Sequence, residues 1–326
     1  MLKQEIKKFI NIINKSQRIL LITHRNPDGD AIGSVLAIQN YLLSVNKKIS
    51  SFCITKPGEN FNYLQNIENI KNDIEDIEDN YDLAIILDCG NLGMTKITEK
   101  IKQINLKFGI VNIDHHHTNP NYGDINIVIP RASSTAEIIY QIMRISNIKI
   151  TPAIATALLT GIITDTGNFA YRSTTKQSIE TASRLLSIGA DFEGISKANI
   201  YNKTIDILKL WGLVMRRIVF NKELGMVTTV LFQKDLEDLN LSEEASEGIS
   251  NYLNNLSKKN KFSLLLIEYK IAKVKGSLRT THDDIDVSAI AQQFGGGGHK
   301  KAAGFEIEGK IVFNNGQWQI IRAVSH

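Results

Sequence analysis

Four apolar runs in this 326-residue chain each stop at a side chain able to bind a metal. They read RILLITHRNPDGDA, LAIILDCG, FGIVNIDHHH and ALLTGIITDTG. They place His24, Asp28, Asp30, Asp88, Asp114, His115, His116 and Asp165 just past segments patterned for burial. Gathering carboxylates and imidazoles at one edge of a core is costly unless a cation compensates them. The pattern therefore predicts a cluster of divalent ions. In HRNPDGDAIGS, Pro27 and Gly29 enforce a tight loop that turns Asp28 and Asp30 toward one point, although an Asp-rich turn capping a helix reads the same way. An Asp-His-His triplet directly after IVNI is harder to ascribe to a turn. Asp165 ends a helical run, where its charge opposes the helix dipole. The donors are oxygen and nitrogen without thiolate, which favours Mn²⁺ or Mg²⁺ over structural zinc. Six or more ligands exceed the needs of one ion, so two ions sharing a carboxylate is the economical count. Such a pair, about 3.5–4 Å apart, lowers the pKa of a shared water and clamps an in-line phosphoryl displacement.

The elements that must position these residues alternate. RILLIT, KISSFCI, LAIILD and FGIVNI read as strands, and SVLAIQNYLLS, RASSTAEIIYQIMRI, TPAIATALLTGIIT and TTKQSIETASRLLSIGA as helices. This βαβ alternation predicts an α/β fold with a largely parallel N-terminal sheet flanked by helices, its ligands beyond the carboxyl ends of the strands. The acidic ENIKNDIEDIEDNY reads as a solvated helix or loop. IYNKTIDILKLWGLVMRRIVF reads as a long helix joining two domains, its Trp211 packed between them. Beyond it lies a smaller mixed α/β domain: strand MVTTVLF, helix LSEEASEGISNYLNNL, hairpin strands FSLLLIEYK and KVKGSLRT, helix VSAIAQQF, a loop at GGGGHKKAAG and a strand region at FEIEGKIVF. The domains are set at 1–195 and 219–326, with a helical linker at 196–218. No internal repeat or low-complexity tract is present.

A net charge of +4 with no basic stripe argues against binding long duplexes but suits a small anionic substrate. Cys53 and Cys89 lack partner spacing, which points to a reducing compartment. The amphipathic N-terminus and the absence of a membrane-length apolar run point to a soluble, cytoplasmic protein. In the glycine run, amides freed by positive φ form an anion nest, with His299 and Lys300 adding donors. Arg279 in SLRT offers a fork for phosphate. Lys301, and His282 with Asp283 and Asp284, read as solvated loop; Ser134 and Glu137 read as a capping box.

HRNPDGDAIGS, LDCG, DHHH and TDTGNF resemble, in order, the four motifs of the DHH phosphoesterase superfamily, and SLRT with FGGGGHKKAAG resembles its DHHA1 domain. The likeness covers nearly the whole chain and is similar in architecture to the stand-alone bacterial nanoRNase / pAp phosphatase type. It implies two Mn²⁺ ions, with Mg²⁺ or Co²⁺ as substitutes: His24 and Asp28 on one, Asp30, His115 and Asp165 on the other, and Asp88 bridging. It further implies that His116 touches the scissile phosphate and Asp114 orients the ligands. Arg279, Gly296, Gly297, Gly298, His299 and Lys300 would hold the nucleotide in a cleft between the domains. The expected enzyme is a hydrolase that degrades very short oligonucleotides to mononucleotides and converts 3′-phosphoadenosine 5′-phosphate (pAp) to AMP. The same motifs allow a phosphodiesterase for cyclic di-AMP or for pApA and pGpG, and a homodimer. An inorganic pyrophosphatase would lack the glycine run. A non-catalytic nucleotide- or RNA-binding module is a remote reading, because no ligand position is missing.

Overall fold

Every residue of LAIIL is buried, as a parallel strand covered on both faces requires. That strand sits in the first of two compact units, Met1–Asn202 and Lys203–His326. The structure is a computed structural model that describes residues 2–199, 204–246, 248–254, 256, 260–270 and 272–321.

The first unit contains, in order, α1 (Leu2–Lys15), β1 (Arg18–Ile22), α2 (Gly29–Ser44), β2 (Lys48–Phe52), β3 (Ile70–Lys71), β4 (Asn80–Tyr81), β5 (Leu83–Leu87), α3 (Thr98–Gln103), β6 (Asn105–Leu106), β7 (Ile110–Asp114), β8 (Ile125–Val128), α4 (Thr135–Ile145), α5 (Pro152–Asp165), α6 (Lys176–Ile188) and α7 (Phe192–Asn199). Its main sheet has the order β3-β2-β1-β5-β7-β8 and every pairing in it is parallel. Alternate residues feed two cores: Ile19, Leu21, Ile85 and Ile113 pack toward α2, α4 and α5, while Leu20, Ile22 and Ile86 pack toward Ile101 of α3. This is the parallel sheet expected from the alternation. The chain runs outward from β1 to β2 and β3, then returns to β5 on the other flank of β1. The order of strands thus reverses between β1 and β5, the place where open sheets collect ligands.

Two helices apolar on all sides, α2 and α5, pack on each other beneath that edge. Small residues set their separation. A Cβ on Gly33 would stand 2.2 Å from the Ala157 carbonyl oxygen, and one on Gly161 would stand 2.5 Å from Asp30 Oδ1. The acidic segment forms short 3₁₀ turns and the brief β3 and β4, with no α-helix in it.

The second unit contains α8 (Ile205–Arg216), β9 (Val219–Asn221), β10 (Met226–Leu231), α9 (Gln233–Asp238), α10 (Ile249–Asn254), β11 (Phe262–Lys270), β12 (Lys273–Arg279), α11 (Val287–Gln292), β13 (Gly297–His299), β14 (Ala302–Glu308), β15 (Lys310–Asn314) and β16 (Gln317–Ile321). Its mixed sheet runs β13-β14-β12-β11-β10-β9, with β15 and β16 a separate hairpin. Several sequence expectations change here. Residues 200–203 of the expected connecting helix lie outside the described residues; α8 begins after its Thr204 cap, and its Leu210 and Val214 belong to the second unit's core. Trp211 donates to the Ala245 carbonyl and meets the Tyr252 ring, both in its own unit. Gly248, at φ 89, interrupts the helix expected at LSEEASEGISNYLNNL, leaving a 3₁₀ turn and α10. FEIEGKIVF is two strands parted at Gly309, and the second pairs with β16 across Asn315-Gly316. Both turn residues have positive φ (49° and 73°), as a two-residue hairpin turn requires.

The glycine run is loop only in part: Gly295, at φ 74, and Gly296 precede a strand, and Lys300 and Lys301 turn after it. Gly297, Gly298 and His299 form the edge strand β13, paired antiparallel with β14. A Cβ at Gly296 would lie 2.2 Å from the Gly304 carbonyl oxygen and one at Gly298 2.6 Å from that of Ala302, so close strand approach explains these two glycines. A Cβ on Gly297 would meet nothing within 4 Å. The THDDID loop is tied down: Lys301 donates to the His282 carbonyl and pairs with Asp283.

Candidate metal centre

The ends of β1, β5 and β7 deliver His24, Asp88 and Asp114-His115-His116 to one edge of the first sheet, and the end of α5 delivers Asp165 to the same place. Asp88, the first residue past β5, is 2% exposed and holds a left-handed backbone at φ 57. Asp and Asn tolerate that conformation better than branched residues do. Its two carboxylate oxygens face different partners. Oδ2 stands 3.6 Å from His24 Nε2, whereas Oδ1 stands 3.6 Å from His115 Nε2 and 3.8 Å from His116 Nδ1. His115 Nε2 also lies 3.2 Å from Asp165 Oδ2.

Three sets of donor atoms each fall within 4.8 Å of one another: His24, Asp28 and Asp88; Asp88, His115 and His116; and Asp30, His115 and Asp165. Asp28 serves both readings of its loop, since its Oδ1 also caps α2 by accepting from the amides of Asp30 and Ala31, each at 3.0 Å. Asp30 is fully buried. Its Oδ2 accepts from the Thr135 amide at 2.6 Å and its Oδ1 from the Ala136 amide at 2.9 Å, both at the start of α4. Asp114 stands behind these sets. One of its oxygens accepts from His116 Nδ1 at 2.7 Å and the other from Asn119 Nδ2 at 2.6 Å.

These donors suit a divalent cation. His24 Nδ1 sits 2.8 Å from the Arg25 carbonyl oxygen and must donate to it, so Nε2, on the Asp88 side, is the nitrogen that offers a lone pair in the neutral ring. The ring nitrogen–carboxylate separations run from 3.2 Å, the long end of a hydrogen bond, to 3.6 Å, beyond it. They are near the ~3 Å expected of adjacent ligands about 2.1 Å from one ion. Electrostatics agree. Burial, then the charge of Asp88, pushes the carboxyls of Asp28, Asp30 and Asp165 upward, far upward for the last two. Burial also opposes ionisation of Asp88, but the neighbouring imidazoles of His24, His115 and His116 hold it down to about 2. Burial would lower His24, yet Asp88 and the Arg25 carbonyl carry it up to about 9. His116 is raised chiefly by its bond to Asp114. The cluster thus retains protons where a cation would serve.

Two residues escaped the sequence reading. Asn119, 8% exposed, links Asp114 to the Cys89 carbonyl and to Asn112. It lies in a turn where Asn has many ordinary uses. Thr135 donates its hydroxyl to Asp88 Oδ1 at 2.9 Å. The expected capping box drew attention to its neighbour: Ser134 does cap α4, but Glu137 reaches back to Ser133 rather than to the Ser134 amide.

In the second unit, strand register brings the expected nucleotide contacts together. Arg279 on β12 and His299 on β13 both pair with Ala302 on β14, so all three share one sheet face. Ser277, Gly304 and Gly297 form the next row on that face, which leaves a floor of small residues beside the two polar side chains. Lys300 lies in the β13–β14 turn.

A parallel sheet with this His/Asp edge, followed by a small mixed-sheet unit, defines a two-domain hydrolase with a metal-type centre. Residues 18–162 match the DHH family, N-terminal domain, and residues 225–324 match the DHHA1 domain; the chain belongs to the DHH family and is a phosphoester hydrolase. It is 28% identical over 89% of its length to the "Bifunctional oligoribonuclease and PAP phosphatase NrnA" of Thermus thermophilus, covering 84% of that protein. It is 23% identical to the protein of the same name from Bacillus subtilis, with 92% of each covered. An exopolyphosphatase-related protein from Bacteroides fragilis has a similar structure, with a TM-score of 0.85, 25% identity, and 94% of this chain and 92% of that one covered. No helix among the described residues is long and apolar enough to cross a membrane.

Proposed function

We propose that this chain is a Mn²⁺-dependent phosphoesterase that cuts very short oligonucleotides to mononucleotides and converts pAp to AMP. The observation that carries the reading is the Asp88 carboxylate, whose oxygens face His24 on one side and His115 on the other. Asp88 would be shared by two ions, with His24 and Asp28 holding one and Asp30, His115 and Asp165 the other. Bound there, the ions supply an activated water and charge for the phosphoryl oxygens. Asp114 keeps the proton of His116 on Nδ1, leaving its Nε2 side for the substrate phosphate. Arg279, His299, Lys300 and the amides of Gly296, Gly297 and Gly298 would hold the nucleotide. The names of the Thermus and Bacillus relatives support this substrate class.

The test is a panel of pAp, pGpG, pApA, a pentanucleotide, cyclic di-AMP and pyrophosphate, each with Mn²⁺, Mg²⁺ or chelator. Short linear nucleotides and pAp are expected to turn over best with Mn²⁺ and not at all in chelator. Turnover that survives chelation, or is confined to cyclic di-AMP or pyrophosphate, would sink the reading.

Gly297 separates ligand space from packing. Its φ is not positive and its Cβ would meet nothing, so Gly297→Ala should leave the melting temperature unchanged. If the amide floor holds the nucleotide, KM for a dinucleotide should rise about 10-fold, or ~1.4 kcal/mol. An unchanged KM would remove Gly297 from the contact surface.

Ion uptake should release protons, because a ligating imidazole must be neutral and a ligating carboxylate ionised. His24 is raised from 6.5 to about 9, so at pH 7 it carries a proton that must leave. In the metal-free protein a raised His24 stabilises the fold below pH 6.5, and this contribution is lost as pH climbs through about 9. The raised carboxyls of Asp28, Asp30 and Asp165 act in the same direction. The metal-free melting temperature should therefore fall from pH 6.5 to 9, and Mn²⁺ should flatten that fall. Calorimetry at pH 7 in buffers of different ionisation enthalpy should count at least one proton released; none released would refute ligation by His24.

A further inference from the structure

Thr135 is the first residue of α4 and is fully buried. The helix cap is supplied next door, where Ser134 accepts from the Glu137 amide, so the Thr135 hydroxyl is spare for other use. That hydroxyl donates to Asp88 Oδ1 at 2.9 Å, while its own amide donates to Asp30 Oδ2 at 2.6 Å. One residue thus grips two carboxylates of the proposed cluster, the shared Asp88 and its neighbour Asp30 on the His115 side.

The grip on Asp88 matters because nothing else described holds that carboxylate so closely. The imidazoles around it stand at 3.6 Å or more, too far to fix its rotation by hydrogen bonding. A carboxylate turned about its terminal torsion, which is broad for Asp, would no longer offer one oxygen to each side. We propose that Thr135 is a positioning residue that locks the Asp88 carboxylate with Oδ2 toward His24 and Oδ1 toward His115. By the same turn of helix its amide fixes Asp30, so the shared carboxylate and one ligand of the second ion are held by one residue. The proposal rests on the bridging role of Asp88 given above.

Thr135→Val keeps the shape and the amide bond to Asp30 but removes the hydroxyl, whereas Thr135→Ser keeps the donor. With Mn²⁺ and a dinucleotide, Thr135→Val should lower kcat about 10–100-fold, the range for a residue that orients a metal ligand, with KM little altered. Its electron paramagnetic resonance spectrum should lose the spin-coupled Mn²⁺ pair. Thr135→Ser should recover kcat and that signal, and both variants should melt near the parent temperature. A Val variant with parental kcat and spectrum overturns the proposal, as does a Ser variant impaired as much as Val. Asp88→Asn is measured alongside. If it is inactive while Thr135→Val is not, only the positioning role falls; if Asp88→Asn remains active, the bridging reading falls first.

Discussion

Asp88→Asn should cut turnover of short oligonucleotides and pAp at least ~1,000-fold, while the protein remains folded. Asn tolerates the left-handed backbone that position 88 adopts, at φ 57, and preserves the side-chain volume. What changes is charge and donor chemistry. A buried anion poised between His24 and His115 becomes a neutral amide, and one face of it becomes an N–H donor that repels a cation. Clamping charge between two ions is worth several kcal/mol, and each ~1.4 kcal/mol is tenfold in rate. Asp88→Ala should lose as much activity and also melt lower, because Ala in the left-handed region adds about 1–2 kcal/mol of strain. The measurement is kcat with saturating Mn²⁺ beside the melting temperature of each variant. An Asn variant with more than a tenth of the parental kcat would exclude a bridging carboxylate.

Asp30→Ala should abolish activity and destabilise the protein by about 3 kcal/mol when Mn²⁺ is present. The amides of Thr135 and Ala136 both end on this carboxylate, and its removal leaves two buried donors without acceptors. Orphaned donors cost about 1–3 kcal/mol each. One term opposes this. Burial and the charge of Asp88 push Asp30 strongly upward, so without metal its ionised form, the better acceptor for both amides, is disfavoured. The penalty should therefore be smaller in chelator than in Mn²⁺. Thermal denaturation in both conditions checks the sign: an equal loss in each would separate Asp30 from the ion.

The four ligand-tipped runs were legible because burial and chemistry leave separate marks on a sequence. Apolar residues filled RILLI, LAIIL and IVNI, and only an unusual demand explains the polar residue that ends each. The parallel sheet followed from the same alternation. What failed was local. The glycines were read as freedom to form a loop; Gly295 and Gly298 do hold positive φ, but Gly296 and Gly298 are also small because β14 approaches closely. The strand β16 was missed because its polar-apolar pattern is short, although Asn315-Gly316 marked the turn before it. Asn119 and Thr135 were missed for another reason. Their importance comes from which distant carboxylate they meet, and Thr135 and Asp88 are 47 positions apart.

The reversal of strand order between β1 and β5 also bears on how the protein matures. His24 and Asp165 bracket most of the first unit, and the donors between them depend on β5, β7 and α4 lying in their final places. No fragment that ends before α5 contains the complete set. On the proposed ligand set, ion capture would be a late event in biogenesis, limited by closure of long-range contacts rather than by local turns. In a chain made from its N-terminus, Mn²⁺ would act as a seal on a finished domain and not as its nucleus.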